Sequence, residues 1–514
     1  MAEAQGRARP TLAKIVATIG PASDSPEMIA KLIEAGASIF RLNFSHGTPD
    51  EHARRLKNIR EVAIRIGQPV AVLGDLQGPK IRVGVLSEGG IELAVGQDVV
   101  FTTVPDAMFD KRLDTVRMPT EYESLASEVK PGERVLINDG AVRLMAVDRE
   151  SNDTQGVLRC RVLVGGLVLS RKGINLPDSD IKAAAITEKD WRWVEWAVGQ
   201  GVDLLALSFV RRAAEVIQLK RALSEMCPPS FSVDHTNKAA LIPVIAKIEK
   251  PQALEDLDAI FEAADGVMVA RGDLGVEMDL AQVPLIQKRL IAKSDEWGKP
   301  CIVATQMLES MIEGASPTRA EASDVANAVL DGADAVMLSG ETAVGRHPAL
   351  VVETMRRIVL AAEERIATLR TQPSPAARLM KSRYRTAALA HGAWFVAQDV
   401  GAKIVACWSQ EGGTARYLSQ TGMDVPIVAY SSSERAVRRM GLLRSVTARL
   451  IQTPPGGTLG EWNVMVEDDL RTLGWVKEGD PIVLVAGKPL GVQGATSALA
   501  VHYIGNLNTG FMNV

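Results

Sequence analysis

Eight short apolar runs, rich in Val and Ile, recur along the first 350 residues and constrain the fold more than any other feature of this 514-residue chain. They are KIVATIG (14–20), SIFRLNFS (38–45), VAVLGDL (70–76), LLALSFV (204–210), PVIAKIE (243–249), GVMVARGDL (266–274), CIVATQM (301–307) and AVMLSGET (335–342). Runs this short, apolar on both faces, read as buried parallel strands. Helical patterns between them make βαβ units, and eight such units predict a closed (β/α)8 barrel of the TIM type. The stretch TPDEHARRLKNIREVAIRIG (48–67) is amphipathic and stops at Gly67. Ser316 followed by Pro317 reads as the N-cap and first residue of a helix running through RAEASDVANAVL. The phrases EAGAS (34–38), GQGVD (199–203), EAADG (262–266) and LDGAD (330–334) each precede a strand, which predicts one αβ turn used four times with Gly near the helix C-terminus.

More than a hundred residues of another kind separate the third and fourth runs. Segments IELAVGQDVVFTT (91–103), ERVLINDGAVRLMAV (133–147) and VLRCRVLVGGLVLS (157–170) alternate in polarity and are parted by Gly, Asp and Asn. They predict a small antiparallel β domain, a β-barrel, inserted in a barrel loop. Loops at the C-terminal ends of barrel strands carry the active site, so the insert is expected over it as a lid. LRTQPSPAARL (369–379) reads as a linker. Beyond it AKIVACWS (402–409), VPIVAYSS (425–432), VTARLIQ (446–452), PIVLVAG (481–487) and LAVHYIG (499–505) predict an open α/β sheet. The expected division is barrel 1–81 and 182–368, lid 82–181, and C-terminal α/β domain 369–514.

Composition removes several classes of function. Hydrophobic residues are 46% and charged residues 23%, which excludes wholesale disorder. A net charge of −4 leaves no cationic field for nucleic acid or an anionic membrane. No apolar run reaches the roughly 18 residues of a membrane span, and MAEAQGRARP lacks the apolar core of a secretory signal. Cys160, Cys227, Cys301 and Cys407 are scattered, without zinc or disulfide spacing, and fit a reducing compartment. The expectation is a cytoplasmic enzyme.

The strand ends are rich in charge and hydroxyls where a barrel core wants Val, Ile and Leu. Arg41, Asn43 and Ser45 share one face, Asp75 ends the third run, and Lys247 and Glu249 end the fifth. Arg271 and Asp273 end the sixth, Thr305 the seventh, and Ser339 and Glu341 the eighth. Burying Lys beside Glu without partners costs several kcal/mol, a cost tolerated where a ligand or metal completes the charge balance. Glu249 and Asp273, from adjacent strands, suit Mg²⁺ or Mn²⁺ with the remaining positions left to substrate and water. Lys247 and Arg41 add fixed cations, and the set is one for phosphoryl transfer. Gly272 leaves room for backbone N–H groups to approach an anion. ATQMLESM (304–311) reads as core apart from Thr305, and RAVRRM (435–440) as a solvated helix face.

These residues resemble those of the pyruvate kinase family. The phrases ATIGPAS (17–23), RLNFSHG (41–47), AKIEKPQAL (246–254), VMVARGDLGVE (267–277), ATQMLESM (304–311) and PTRAEASDVANAVLDGADAVMLSGET (317–342) occur in the family's order. The resemblance implies transfer of the phosphoryl group of phosphoenolpyruvate to ADP, giving pyruvate and ATP. It implies that Glu249 and Asp273 hold the metal, that Lys247 neutralises the phosphoryl group in flight, and that Arg41 contacts phosphate. Ala270, Arg271, Gly272 and Thr305 would surround phosphoenolpyruvate or pyruvate. Thr305 and Ser339 would serve the proton delivery to the enolate. Pro21, Asn43, His46, Arg82 and Lys172 would line the nucleotide side, and Glu341 would lie near the pocket. A homotetramer is the family's usual state.

One departure bears on cofactors. Many relatives that need K⁺ read Asp-Thr-Lys-Gly-Pro-Glu where this chain reads Asp75-Leu76-Gln77-Gly78-Pro79-Lys80. The chain thus resembles the K⁺-independent branch, with the Lys80 ammonium in place of the monovalent ion. In the last domain SQEGGTARY (409–417) resembles a phosphate cradle for an allosteric effector, with Ser409 and Thr414 as candidates. The later loop GKPLGVQGAT (487–496) lacks the Trp and Arg of the sugar-bisphosphate pattern and offers Lys488 instead. Two alternatives stand beside this reading: a Mg²⁺-dependent lyase or mutase acting on pyruvate-like acids, and a barrel that only senses a metabolite.

Overall fold

Helix starts in this chain are written in local side-chain chemistry. The helix Pro49–Ile66 is opened by Thr48, whose hydroxyl takes the Glu51 N–H while Glu51 returns to the Thr48 N–H, and Gly67 closes it in a left-handed conformation. The same box sets the start near residue 317, but two residues later than the Ser316-Pro317 pair suggests. Thr318 is the cap, Glu321 its partner, and the helix is Arg319–Leu330. The computed structural model describes residues 10–103, 109–110, 115–152, 155–226, 241–369, 384–506 and 508–511. The expected linker 369–379 therefore lies outside the described residues, apart from Leu369.

All eight apolar runs become strands: Lys14–Thr18, Ile39–Asn43, Ala71–Asp75, Leu204–Leu207, Val244–Ile248, Gly266–Ala270, Cys301–Ala304 and Ala335–Leu338. They close into one parallel barrel in chain order. The sixth is shorter than its run, because the chain turns into a helix, Arg271–Glu277, directly after Ala270. Arg271 and Asp273 thus stand on a first helical turn instead of a strand end. Val16, Ile39, Leu73, Ile245, Met268, Ile302 and Met337 fill the barrel interior, and Leu442 from the C-terminal sheet region packs with them as a plug. A larger apolar layer lies between strands and surrounding helices.

The turn predicted to recur does so in three of its four places. Gly36, Gly201 and Gly332 take positive φ, whereas Gly266 already belongs to its strand. The Asp of these phrases has a repeated task. Asp203, Asp265 and Asp334 each precede an even-numbered strand, and each accepts the N–H near the start of the strand before it. The three bonds come from Val72 at 2.8 Å, Val244 at 2.9 Å and Cys301 at 2.8 Å.

The insert is a seven-stranded curled sheet with a separate two-stranded ribbon, Ile91–Leu93 with Gly166–Val168. Among the described residues it is not a closed barrel, and Asp98–Thr102 pairs parallel with Thr115–Pro119. The last region is a five-stranded sheet ordered 446–450, 427–431, 404–408, 481–487, 496–503, with only the final strand antiparallel. No helix among the described residues is long and apolar enough to cross a membrane.

The basic cluster at 435–440 is not a solvated face. Arg438 Nε donates to Asp203 at 2.8 Å, Arg60 holds the other oxygen at 2.7 Å, and Arg439 donates to the Asp203 carbonyl. The Asp203 carboxylate has no exposed surface, so these cations seat the last region on the base of the barrel. Lys14 works at the same seam, donating to the Val446 carbonyl at 2.7 Å. Burial, opposed by Glu363, pulls its ammonium down to about 8. The unfolded chain then holds that proton more tightly than the folded one, so this group adds stability as pH rises from about 8 towards 10.5. Lys14→Met should stabilise the protein at pH 7 by about 1–2 kcal/mol, the removed charge penalty less the lost hydrogen bond. The difference from wild type in urea unfolding should shrink at pH 10; a difference that does not change with pH would contradict this.

Candidate active site

Arg41, pointing into the mouth from the second strand, donates through Nε to Asp75 at 2.6 Å and through a terminal nitrogen to Thr18 Oγ1 at 3.2 Å. Lys247, from the fifth strand, reaches the other Asp75 oxygen at 3.2 Å, Glu249 Oε1 at 3.0 Å and Ser208 Oγ at 2.7 Å. Glu249 also takes the N–H of Phe209 at 2.7 Å, an approach made possible by a left-handed backbone at Phe209, φ 54°. Asp75, Lys247 and Glu249 are all buried.

The charges set one another. Burial alone would raise Asp75, but Lys247 and Arg41 outweigh it and hold the carboxyl below its usual range. Burial alone would lower Lys247, but Asp75 and Glu249 outweigh it and keep the ammonium charged. Glu249 is pushed up by burial and by the negative charges of Asp273 and Asp75, against the pull of Lys247 and the Phe209 N–H. A buried carboxylate crowded by two others is a site that a dication relieves, and hard oxygen donors fit Mg²⁺ or Mn²⁺. Among the described residues no three His, Cys, Asp or Glu gather as a metal cage.

Ala270 is buried at the end of the sixth strand, and Gly272 donates its N–H to Thr305 Oγ1 at 2.7 Å. Thr305 and Gln306 both have positive φ, 67° and 53°, which is strained for a β-branched residue. Arg271 is what holds them. Its guanidinium donates to the carbonyls of Thr305 and Gln306 and pairs with Asp324 at 3.1 Å, so its side chain is committed to this loop. Ser339 has a buried hydroxyl with no partner among the described residues. Glu341 accepts the N–H groups of Ser339 and Leu308, tying the loops after the seventh and eighth strands together.

The nucleotide-side residues gather less tightly. Pro21 is exposed in the loop after the first strand, whose Ala22 donates to Ala343. Asn43 Oδ1 caps the Ser45 N–H, and the His46 carbonyl meets His52 Nε2 at 2.8 Å. Burial is the largest cause that lowers His46, followed by Lys80, Arg41, Arg82 and Lys189. Four cations on one side of the mouth make a field for a polyanion. Arg82 donates to the Arg171 carbonyl, and the next residue, Lys172, accepts the Val83 N–H through its own carbonyl. Between lid and barrel runs a cleft of about 50 Å³ lined by Lys80, Gly173, Asn175, Phe209, Lys250 and Asp273. Ser208, Thr18 and the Phe209 N–H were missed as site groups; the hydroxyl ending LLALS was the available signal for the first.

The family model "Pyruvate kinase, barrel domain" matches residues 11–352, and "Pyruvate kinase, alpha/beta domain" matches 387–502. The chain is 41% identical to a pyruvate kinase of Corynebacterium glutamicum over 495 residues, 96% of this chain and 98% of the relative. It is 40% identical to that of Mycobacterium tuberculosis H37Rv over 493 residues, with the same coverage. It is also 40% identical to that of Geobacillus stearothermophilus over 501 residues, 96% of this chain and 80% of the relative. Nothing in these matches supports the lyase or mutase alternative. A barrel mouth that buries one lysine between two carboxylates, in a chain matched along almost its whole length, belongs to the pyruvate kinase family.

Proposed function

We propose that this mouth transfers the phosphoryl group of phosphoenolpyruvate to ADP, with the residues in the following roles. The observation that carries the reading is Lys247, buried and charged between Asp75 and Glu249 with Arg41 alongside. The family generally needs a divalent metal. Here Mg²⁺ or Mn²⁺ on Glu249 and Asp273 would supply positive charge to the phosphoryl and substrate oxygens. Lys247 lies where the phosphoryl group passes and offsets its growing charge. Arg41 binds phosphate, oriented by Asp75 and Thr18. Ala270, Gly272 and Thr305 form the wall for the carboxylate end of the substrate, while Arg271 acts by fixing Thr305. The Ser339 and Thr305 hydroxyls pass the proton that turns the enolate into pyruvate. Pro21, Asn43, His46, Arg82 and Lys172 receive the nucleotide. A coupled assay should show pyruvate formed from phosphoenolpyruvate only when ADP is present; ADP-independent release would defeat the reading.

Lys80 stands in for K⁺ in this proposal. Leu76 is buried and has no side-chain oxygen, and the Lys80 charge reaches His46 at the mouth. Full activity is expected in buffer free of K⁺ and Na⁺, and Lys80→Glu with Leu76→Thr should create a K⁺ requirement. Large stimulation of the wild-type enzyme by KCl would refute it.

The reading includes a cytoplasmic, tetrameric enzyme of glycolysis with a phosphorylated effector in the last domain. A cleft of about 490 Å³ there is lined by Ser409, Thr414, Arg416 and Arg439. Lys488 is not on it, and Ser409 and Thr414 already bond to the Ala415 N–H and to Thr496. Sugar phosphates and AMP should raise the melting temperature, and the mass in solution should be four chains.

A further inference from the structure

Glu277 is buried at the end of the helix Arg271–Glu277, and its side chain has no exposed surface. One oxygen, Oε1, takes two donors: Lys250 Nζ at 2.5 Å and Asn175 Nδ2 at 2.8 Å. The other, Oε2, is buried with no hydrogen-bond donor among the described residues. If the pair served only to hold the fold, that oxygen would be an unexplained cost, since apolar residues of similar volume replace buried ion pairs without loss.

The three residues come from three bodies. Lys250 follows Glu249 directly. Glu277 lies four residues after Asp273, on the same helix face. Asn175 belongs to the lid, in a short strand, Ile174–Asn175, that pairs with Arg134–Ile137. The lid turn at Gly140 also faces this helix: a Cβ there would come within 3.8 Å of Val276. One carboxylate oxygen therefore joins the segment behind one metal-site carboxylate, the helix carrying the other, and the lid.

The geometry points to Glu277 as a positioning residue that sets the spacing of Glu249 and Asp273 and ties it to the seating of the lid. This rests on the reading of Glu249 and Asp273 as the metal site. Lys250 and Glu277 hold the strand end and the helix in register, so the two carboxylates face one ion. Asn175 adds its hydrogen bond only when the lid lies against the helix, so the same oxygen senses the lid.

Mn²⁺ alone, followed by its spin-resonance signal on the full-length protein without substrates, reads the spacing. Amide hydrogen exchange of 134–137 and 174–178 reads the lid. The wild type should bind Mn²⁺, and Asp273→Asn should weaken that binding; if wild type and Asp273→Asn bind alike, the metal-site reading itself fails. With that established, Glu277→Gln should weaken Mn²⁺ about ten-fold, as loss of an outer-shell partner does, and speed lid exchange. Its turnover should recover at saturating Mn²⁺ while half-saturation stays raised, a split that a loss of folding would not give. Asn175→Ala should speed lid exchange and leave Mn²⁺ binding within about two-fold. The double change Lys250→Met with Glu277→Met keeps the net charge and removes the tether. It should still bind Mn²⁺ about five-fold more weakly or worse, and it decides the matter if Glu277→Gln does not fold. Wild-type Mn²⁺ affinity in the double variant would overturn the positioning role, leaving a through-space charge effect. Unchanged lid exchange in Asn175→Ala would overturn the tie to the lid.

Discussion

Lys247→Met should lower turnover by about a thousand-fold, the scale set by removing one donor from a preorganised charge-stabilising site. The side chain is buried against Asp75 and Glu249, and Arg41 still holds Asp75 after the change, so one of the two carboxylates keeps a partner. Glu249 loses its ammonium and is left to the Phe209 N–H. Metal affinity should hold or tighten, because a cation that repels the dication is gone. The expected signature is an enzyme that binds Mn²⁺ and phosphoenolpyruvate but barely turns over. Near-normal turnover would mean that the phosphoryl group passes elsewhere.

Asp273→Asn should act on the metal instead of the chemistry. Asp273 is partly exposed on a first helical turn, and its side chain makes no hydrogen bond among the described residues. Asparagine keeps its shape and one oxygen and removes the charge. The Mg²⁺ concentration for half-maximal activity should rise by at least about 10-fold, the lower end of what losing even an outer-shell partner costs, with thermal stability within a degree or two of wild type. Titration of activity against Mg²⁺ checks both halves, and an unchanged half-saturation point would remove Asp273 from the metal site.

The strand positions of the barrel and its closure were legible because buried parallel strands are short continuous apolar runs, and all eight stand out in this chain. The charged strand ends were legible for the same reason: Lys247 and Glu249 break an apolar context. What periodicity could not show was where a strand gives way to a helix. The run GVMVARGDL reads as continuous, yet Arg271 begins a helix, and its guanidinium bonds to the carbonyls of the Thr305 loop. Nor could composition tell a solvated arginine from a buried one. Arg438 looks like a surface residue until Asp203, 235 positions away, is placed opposite it. Ser208 was signalled only by a hydroxyl ending an apolar run, whereas Phe209 and Glu277 were invisible as functional groups because each acts through a partner distant in sequence, and Phe209 through its backbone alone.

The Asp203 carboxylate accepts the Val72 amide across 131 positions. During synthesis from the N-terminus at roughly 5–20 residues per second, the third strand would wait on the order of ten seconds for that acceptor to emerge. Three finished strands with an open edge would leave the ribosome first, followed by the whole β insert. The slowest and most aggregation-exposed interval of this chain's birth should therefore fall between residues 75 and 203, where a pause or a chaperone would matter most.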